Sequence, residues 1–486
     1  MEFNNVPAIV KVPLFYAEFN SSNASQATGK QPFKGLLIGQ MTSAGSATAN
    51  TPVKFASESK AISLFGRGSM LHLMAKAFLK NNPVTELWAL PLADQGGSTA
   101  ASGTLTLTGP ATASGTISLY VAGQLVEVGV SSGDSANTIA AAINSAVNAA
   151  LDLPVTSAVS TNVVTLTAKN KGTLGNGIDL RLNYSDGDAT PTGVSVAIVA
   201  MASGATDPSM TTPIANMGET QYNVIAYPYT ASTPLNALES EMEDRWGSVR
   251  HIDGHIFVSK DDTYGNLGTY GAGRNSKQTT AHGIYKSPSP SFQWAAALAG
   301  IVAYYGQIDP ARPFQTLQVQ GVLAPALADR FNWAERNNLL QEGISTCNVD
   351  PAGLVHIDFL NTTYQLNGLG SADASYYSLN SKLTLSYLRY SFNALITSKY
   401  PRHKLANDGT KYGPGQPIIT PKVGKAEAIA IFRKWEEAGL VEDIDQFKND
   451  LIVERDSSDV NRLNFMLPPN LINQFVVCGV SINFLL

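Results

Sequence analysis

Two histidines and a carboxylate fall within five residues at His251-Ile252-Asp253-Gly254-His255, the strongest candidate in the sequence for metal binding or proton transfer. On a strand, residues four apart share a face, so His251 and His255 are able to ligate together. A metal site needs a third protein ligand, and no nearby spacing supplies one. Gly254 followed by Ile256-Phe257-Val258 reads as a turn entering a strand, which makes ordinary polar turn residues the expected identity of this group. A hydrolase built on Asp253 and His255 would need an activated serine, and the sequence names none. Gly271-Ala272-Gly273-Arg274-Asn275-Ser276 lacks the last glycine of a dinucleotide loop and follows no clean strand, so it reads as a flexible surface loop. Metal-protease, Cys-x-x-Cys and Gly-Lys-Ser/Thr phosphate-loop patterns are missing. No cofactor and no catalytic residue is expected.

The elements around these residues suggest an α/β layer. Gly35–Gly39 and Glu86–Leu90 read as short buried strands, with a helix over Ser59–Lys80 between them; Gly66 and Gly68 weaken its first half. Composition changes near Asp94. From Gly96 to about Gly204 the chain is rich in Ala, Ser, Thr, Gly and Val and has no Trp. Alternation over Thr104–Thr108, Ile117–Val121, Val126–Val130 and Val163–Thr167 predicts half-buried strands. One helix, capped by Asp134 or Ser135, carries Ile139, Ile143 and Val147 as its apolar stripe. The α/β pattern then resumes with a strand at Tyr222–Tyr227, a helix at Asn236–Trp246, a strand at His255–Val258 and a buried helix at Phe292–Tyr305. A loop-rich stretch is expected over Gly306–Ser371, then helices at Tyr376–Tyr400 and Gly424–Leu440, the latter stopped by Gly439.

The fold class expected is therefore α/β (α+β), multidomain: a core, an inserted β-rich domain and extended arms at both ends. The expected boundaries are an arm at 1–20, core at 21–95, outer insert at 96–205, central α/β domain at 206–372, a C-terminal core at 373–470 and a second arm at 471–486. The N-terminal arm carries Val6, Ile9, Val10, Val12 and Leu14 between Pro7 and Pro13, which suits an edge strand. The C-terminal arm carries Phe475, Val476, Val477, Val480, Ile482 and Phe484, too apolar for a free end. Such a segment is expected to pair within its own sheet or to add a strand to another chain.

Over 486 residues, 33 basic against 38 acidic side chains give a net charge of −5. That balance argues against a dedicated nucleic-acid binder. With 44% hydrophobic and only 15% charged residues the chain is too apolar to be disordered throughout. The longest apolar run, Trp294–Tyr305, falls short of the roughly 20 residues of a membrane span, and the N-terminus lacks the basic and apolar regions of a secretion signal. Cys347 and Cys478 sit in no metal spacing and read as two buried or half-buried thiols.

Several long blocks resemble the tail sheath proteins of contractile-tailed phages, specifically the Mu-like group. They are Leu383-Thr384-Leu385-Ser386-Tyr387-Leu388-Arg389-Tyr390-Ser391-Phe392, Ile396 to Leu405, Lys425 to Gln446, and Leu467-Pro468-Pro469-Asn470 through Leu486. Pro32 to Gln40 and Gly172 to Arg181 fit as well, so the resemblance spans nearly the whole chain. It implies a structural subunit rather than an enzyme, one that stacks in six-fold rings around a tail tube and contracts without nucleotide hydrolysis. It further implies arms that add strands to neighbouring subunits, and the tail tube, baseplate and tail terminator proteins as partners, with no nucleic acid and no membrane insertion. The expected location is the virion tail, assembled in the host bacterial cytoplasm. Lys425, Arg433 and Lys434 are the tube-facing candidates. A sheath of a phage-derived injection device and, more remotely, a hydrolase are the rival readings.

Overall fold

A computed structural model describes residues 31–485. The N-terminal arm, with Val6, Ile9, Val10, Val12 and Leu14, lies outside the described residues. Among the described residues, Ser386–Asn470 form one compact unit, and Pro32–Leu385 with the residues from Leu471 onward form the other.

The larger unit is built on an eight-stranded sheet. Its first strands are β1 (Lys34–Gln40), β2 (Val53–Phe55) and β3 (Glu86–Leu92), with α1 (Glu58–Phe65) and α2 (Met70–Asn81) between β2 and β3. The expected single helix over Ser59–Lys80 is thus two helices. Gly66 and Gly68, both at positive φ, break it, and Ser69 caps the second by accepting from the His72 amide. Along β1, Leu37 packs on one face and Leu36 and Ile38 on the other, as a strand buried on both sides requires.

The chain then leaves the sheet for residues 101–201, which hold a hydrophobic core of their own. They form β4 (Ser102–Thr108), β5 (Gly115–Val121), β6 (Gln124–Val130), α3 (Ala136–Ala149), β7 (Val155–Ser160), β8 (Val163–Ala168), β9 (Leu180–Leu182) and β10 (Ser195–Ala202). These make a four-stranded sheet, β10-β4-β8-β7, and a three-stranded one, β6-β5-β9. Ser135, not Asp134, caps α3 by accepting from the Thr138 amide.

On return the chain makes the short α4 (Thr211–Asn216), β11 (Val224–Ala226), α5 (Ser232–Trp246), β12 (His255–Asp261), α6 (Tyr264–Ala272), β13 (Thr279–Ile284) and α7 (Ser291–Ile308). The expected loop-rich stretch 306–371 instead holds α8 (Trp333–Gln341), β14 (Ile344–Val349) and β15 (Val355–Phe359). Their alternation is masked by polar residues that pair inside the fold, such as Ser345 with Asn361. The sheet order is β15-β14-β13-β12-β11-β1-β3-β2. Strands β14 through β3 run parallel, and the edge strands β15 and β2 are antiparallel to their neighbours. One face packs on α2 and α7, the other on α5, α6 and α8. Gly300 lets α7 approach α2 closely, since a Cβ there would lie 2.9 Å from the Phe78 carbonyl oxygen.

The last long helix, α9 (Leu379–Lys399), begins in the larger unit and ends in the smaller. The division falls after Leu385 rather than at the expected 372/373. Leu379 and Leu383 join the larger core, and the Asn380 amide donates to the carbonyls of Pro310 and Arg312. In the smaller unit, α10 (Pro421–Glu437) and α11 (Ile444–Asp450) pack through stacked Phe432 and Phe447 rings 4.1 Å apart. Trp435 donates to Ser391 Oγ at 2.9 Å, and Phe392 meets Phe465 edge-on. Thr420 caps α10 and Pro421 occupies its first turn.

Candidate assembly surfaces

The histidine group does not form a site. His255 is fully buried at the start of β12. The Lys382 ammonium donates to its Nδ1 at 3.1 Å, to the Gly254 carbonyl at 2.7 Å and to Gln278 Oε1 at 2.6 Å. With Nδ1 accepting, the proton sits on Nε2 and points at Thr280 Oγ1, 2.8 Å away, whose hydroxyl donates to the Asn361 carbonyl. Burial, then the Lys382 charge, hold the imidazole pKa well below its ordinary value. His251 is exposed at positive φ, its ring turned to its neighbour's carbonyl. Asp253 is buried. Among the described residues no three His, Cys, Asp or Glu side chains are grouped to hold a metal ion.

Two features escaped the sequence reading. Ser259 Oγ and His282 Nδ1 lie 3.1 Å apart inside the parallel sheet. A serine-hydrolase histidine takes its serine on Nε2 and a carboxylate on Nδ1. Here the serine holds Nδ1, and the buried Nε2 has no hydrogen-bond partner among the described residues. Gly129-Val130-Ser131-Ser132-Gly133 matches the Gly-x-Ser-x-Gly pattern between β6 and α3. Ser131 is exposed, its backbone φ is not positive, and the sequence has no histidine between His72 and His251. Neither is a catalytic constellation.

The Gly271–Ser276 segment is not a flexible loop. Gly271, in the last turn of α6, has no room for a Cβ against the Glu342 carbonyl, and Arg274 is buried in an ion pair with Glu239. Of the cysteines, Cys347 is half-buried against the core, and burial raises its pKa well above normal, but Cys478 is exposed.

Open α/β sheets bind ligands at the carboxyl ends of the strands where the winding direction switches. In this sheet that place is between β1, whose chain continues towards β3, and β11, whose chain continues towards β12. It is filled. Gln40, at the end of β1, is buried and donates to Asp94 Oδ1 and to the Lys171 carbonyl, both at 2.7 Å. Its Oε1 accepts from the Tyr229 hydroxyl. Asn170 accepts from the Met70 amide and donates to the Met41 carbonyl. The space left, lined by Gln40, Met70, Asn170, Leu174 and Phe292, is about 20 Å³. That holds about one water molecule. The connecting turns of the insert thus occupy the crevice an enzyme of this architecture would use.

What the described residues do leave open is the C-terminal tail. From Ile472 on it pairs with no strand among them. Ser378 donates to Gln474 Oε1 and Gln315 to the Phe475 carbonyl; beyond Phe475 the tail makes no hydrogen bond to the described residues. Val477, Val480, Ile482 and Phe484 are 75–83% exposed. From Val480 on, apolar side chains alternate with Ser481 and Asn483, the pattern of a strand with one face to bury.

The three basic candidates on α10 do not all share a face. Lys425 and Lys434 are nine residues apart, about two and a half turns, which puts them on opposite sides. Lys425, Arg433 and Lys434 are all exposed. Lys434 lies near Glu427; burial opposes ionisation there, but hydrogen bonds from Lys399 and Tyr400 and the charges of Lys399 and Lys434 keep the carboxyl pKa below normal.

Comparison with known proteins adds the following. Residues 203–358 match the phage tail sheath protein central domain, and residues 371–484 match the phage tail sheath C-terminal domain. The chain is 41% identical over 486 residues, the full length of both, to the Mu-like prophage FluMu tail sheath protein of Haemophilus influenzae. Its fold is similar to a subunit in the cryo-EM structure of the anti-feeding prophage baseplate, with a TM-score of 0.50, 9% identity and coverage of 98% of this chain and 100% of that one. It is also similar to the sheath tail protein of Desulfitobacterium hafniense, with a TM-score of 0.48, 12% identity and coverage of 94% and 100%.

Proposed function

This chain belongs to the phage tail sheath family, and we propose that it works as the repeating subunit of a contractile sheath, stacked in six-fold rings around a tail tube. The observation that carries this reading is the C-terminal tail, a row of exposed apolar side chains from Phe475 on with no strand partner among the described residues. Exposed apolar rows of this kind mark interaction sites. Strand addition would bury it and would hold adjacent subunits by main-chain hydrogen bonds while other contacts change. The N-terminal residues Val6, Ile9, Val10, Val12 and Leu14 would make the complementary joint.

Contraction is then a change between two packings of the same subunits. At about 25 cal/mol per Å² of apolar area, a few hundred extra Å² per subunit supplies several kcal/mol. Summed over a sheath, that drives a tube without nucleotide hydrolysis, so no catalytic site is required. The tail tube, baseplate and tail terminator are the partners in this reading, and assembly takes place in the host cytoplasm before incorporation in the virion.

The test is co-expression with the tail tube protein of the same gene cluster, followed by electron microscopy. Tubes thicker than the bare tail tube with six-fold end views are expected. Bare tubes beside monomeric chain would contradict the proposal.

A further inference from the structure

Two chain segments join the insert to the central sheet, near residues 94–99 and 204–207. They pair where the Thr99 and Ala205 amides each donate to the other's carbonyl. A ribbon of this kind, alone, would act as a hinge. Further contacts, on different elements, cross to the sheet's helices and loops. Asp152, just past α3, accepts from Arg67 Nε at 2.6 Å and from Lys76 Nζ at 3.2 Å. Lys169 donates both to the Leu151 carbonyl within the insert and to the Arg67 carbonyl outside it. Gly68, at φ +75°, sits so close that a Cβ would lie 2.4 Å from the Leu153 carbonyl oxygen. At the β5–β6 turn, a Cβ on Gly123 would lie 2.9 Å from Ser289 Oγ. In β9, Arg181, itself held by both oxygens of Asp179, donates to the Lys286 carbonyl at 2.9 Å. Tyr184 donates to the Ala324 carbonyl at 2.9 Å.

We infer that the insert is latched to the central α/β body at these points by Asp152, Gly123, Arg181 and Tyr184, and moves with that body as one piece rather than swinging on its connectors. The inference is independent of the proposed assembly. A latched insert transmits any rotation of the central body to whatever its outer surface touches.

Hydrogen exchange on the full chain, read by mass spectrometry, tests this. In the wild type the Thr99 and Ala205 amides should be protected as strongly as those of β4. In an Asp152→Asn/Arg181→Gln variant, connector exchange should rise about tenfold while β4–β6 keep their protection, because local opening follows the lost contacts. Connector amides that exchange freely in the wild type would overturn the inference. So would a double variant with wild-type connector protection and an intact insert core. Should the variant lose protection throughout the insert, the wild-type comparison decides the matter.

Discussion

The ammonium of Lys382 donates to Nδ1 of His255 at 3.1 Å, and both side chains are buried. The residue that sequence made the best catalytic candidate is thereby an acceptor in a network that fixes the start of α9 on the central sheet. Replacing Lys382 by Met keeps an unbranched apolar stem one atom shorter and strands the Gly254 carbonyl and Gln278 Oε1 without the Lys382 donor. Buried polar groups left this way cost on the order of 3 kcal/mol in total. Thermal unfolding should show that loss in the larger unit, and a Lys382→Met chain as stable as the wild type would contradict the network.

Burial lowers the pKa of His282 to about 3, and that of His255 lies well below normal. In the unfolded chain both titrate near 6.5. Between these limits the unfolded state binds more protons, so stability is full above about pH 6.5 and falls as the solution is acidified towards pH 3. His282→Phe should remove about one proton from that pH dependence. Denaturation at a series of pH values between 7 and 4 measures it, and an unchanged slope would show that His282 is not the buried neutral base described.

Gly68 combines φ +75° with a contact that admits no Cβ. Gly68→Ala should therefore cost about 1–3 kcal/mol and loosen the insert first. Proteolysis confined to the connectors would reveal it. A neutral substitution would mean that the Arg67–Gly68 corner does not press on the insert.

Much of this fold was legible and some was not, for physical reasons. β1 and β3 read directly because both of their faces are buried and their sequences are continuously apolar. β14 and β15 were read as loop because their polar residues are satisfied inside the fold, Thr346 and Asn348 by Asp358 and Ser345 by Asn361. Polarity in one chain segment is not visible as burial until its partner is known. The helix at 59–80 was half right, since its two glycines signalled weakness but not a full break. The proposed assembly surfaces were legible only as composition. The tail's exposure and the opposite placement of Lys425 and Lys434 on α10 needed coordinates.

That placement separates the roles of the basic residues. Lys434→Glu should lower the stability of the smaller unit by about 1 kcal/mol, because it sets a like charge beside Glu427. Lys425→Glu and Arg433→Glu should leave stability unchanged and weaken assembly around the tube alone. Thermal midpoints together with pelleting of tube-bound chain distinguish the two. Equal behaviour of all three variants would remove Lys425 and Arg433 from the tube-facing surface.

The central claim is that the C-terminal tail joins subunits. Its most direct measurement is electron microscopy of chain lacking Phe475–Leu486, co-expressed with the tail tube protein beside the full-length chain. The truncated chain should be soluble and folded, since the tail's side chains beyond Phe475 are exposed and form no hydrogen bonds with the described residues, yet should leave tail tubes bare. Normal sheathed tubes built from the truncated chain would contradict the account.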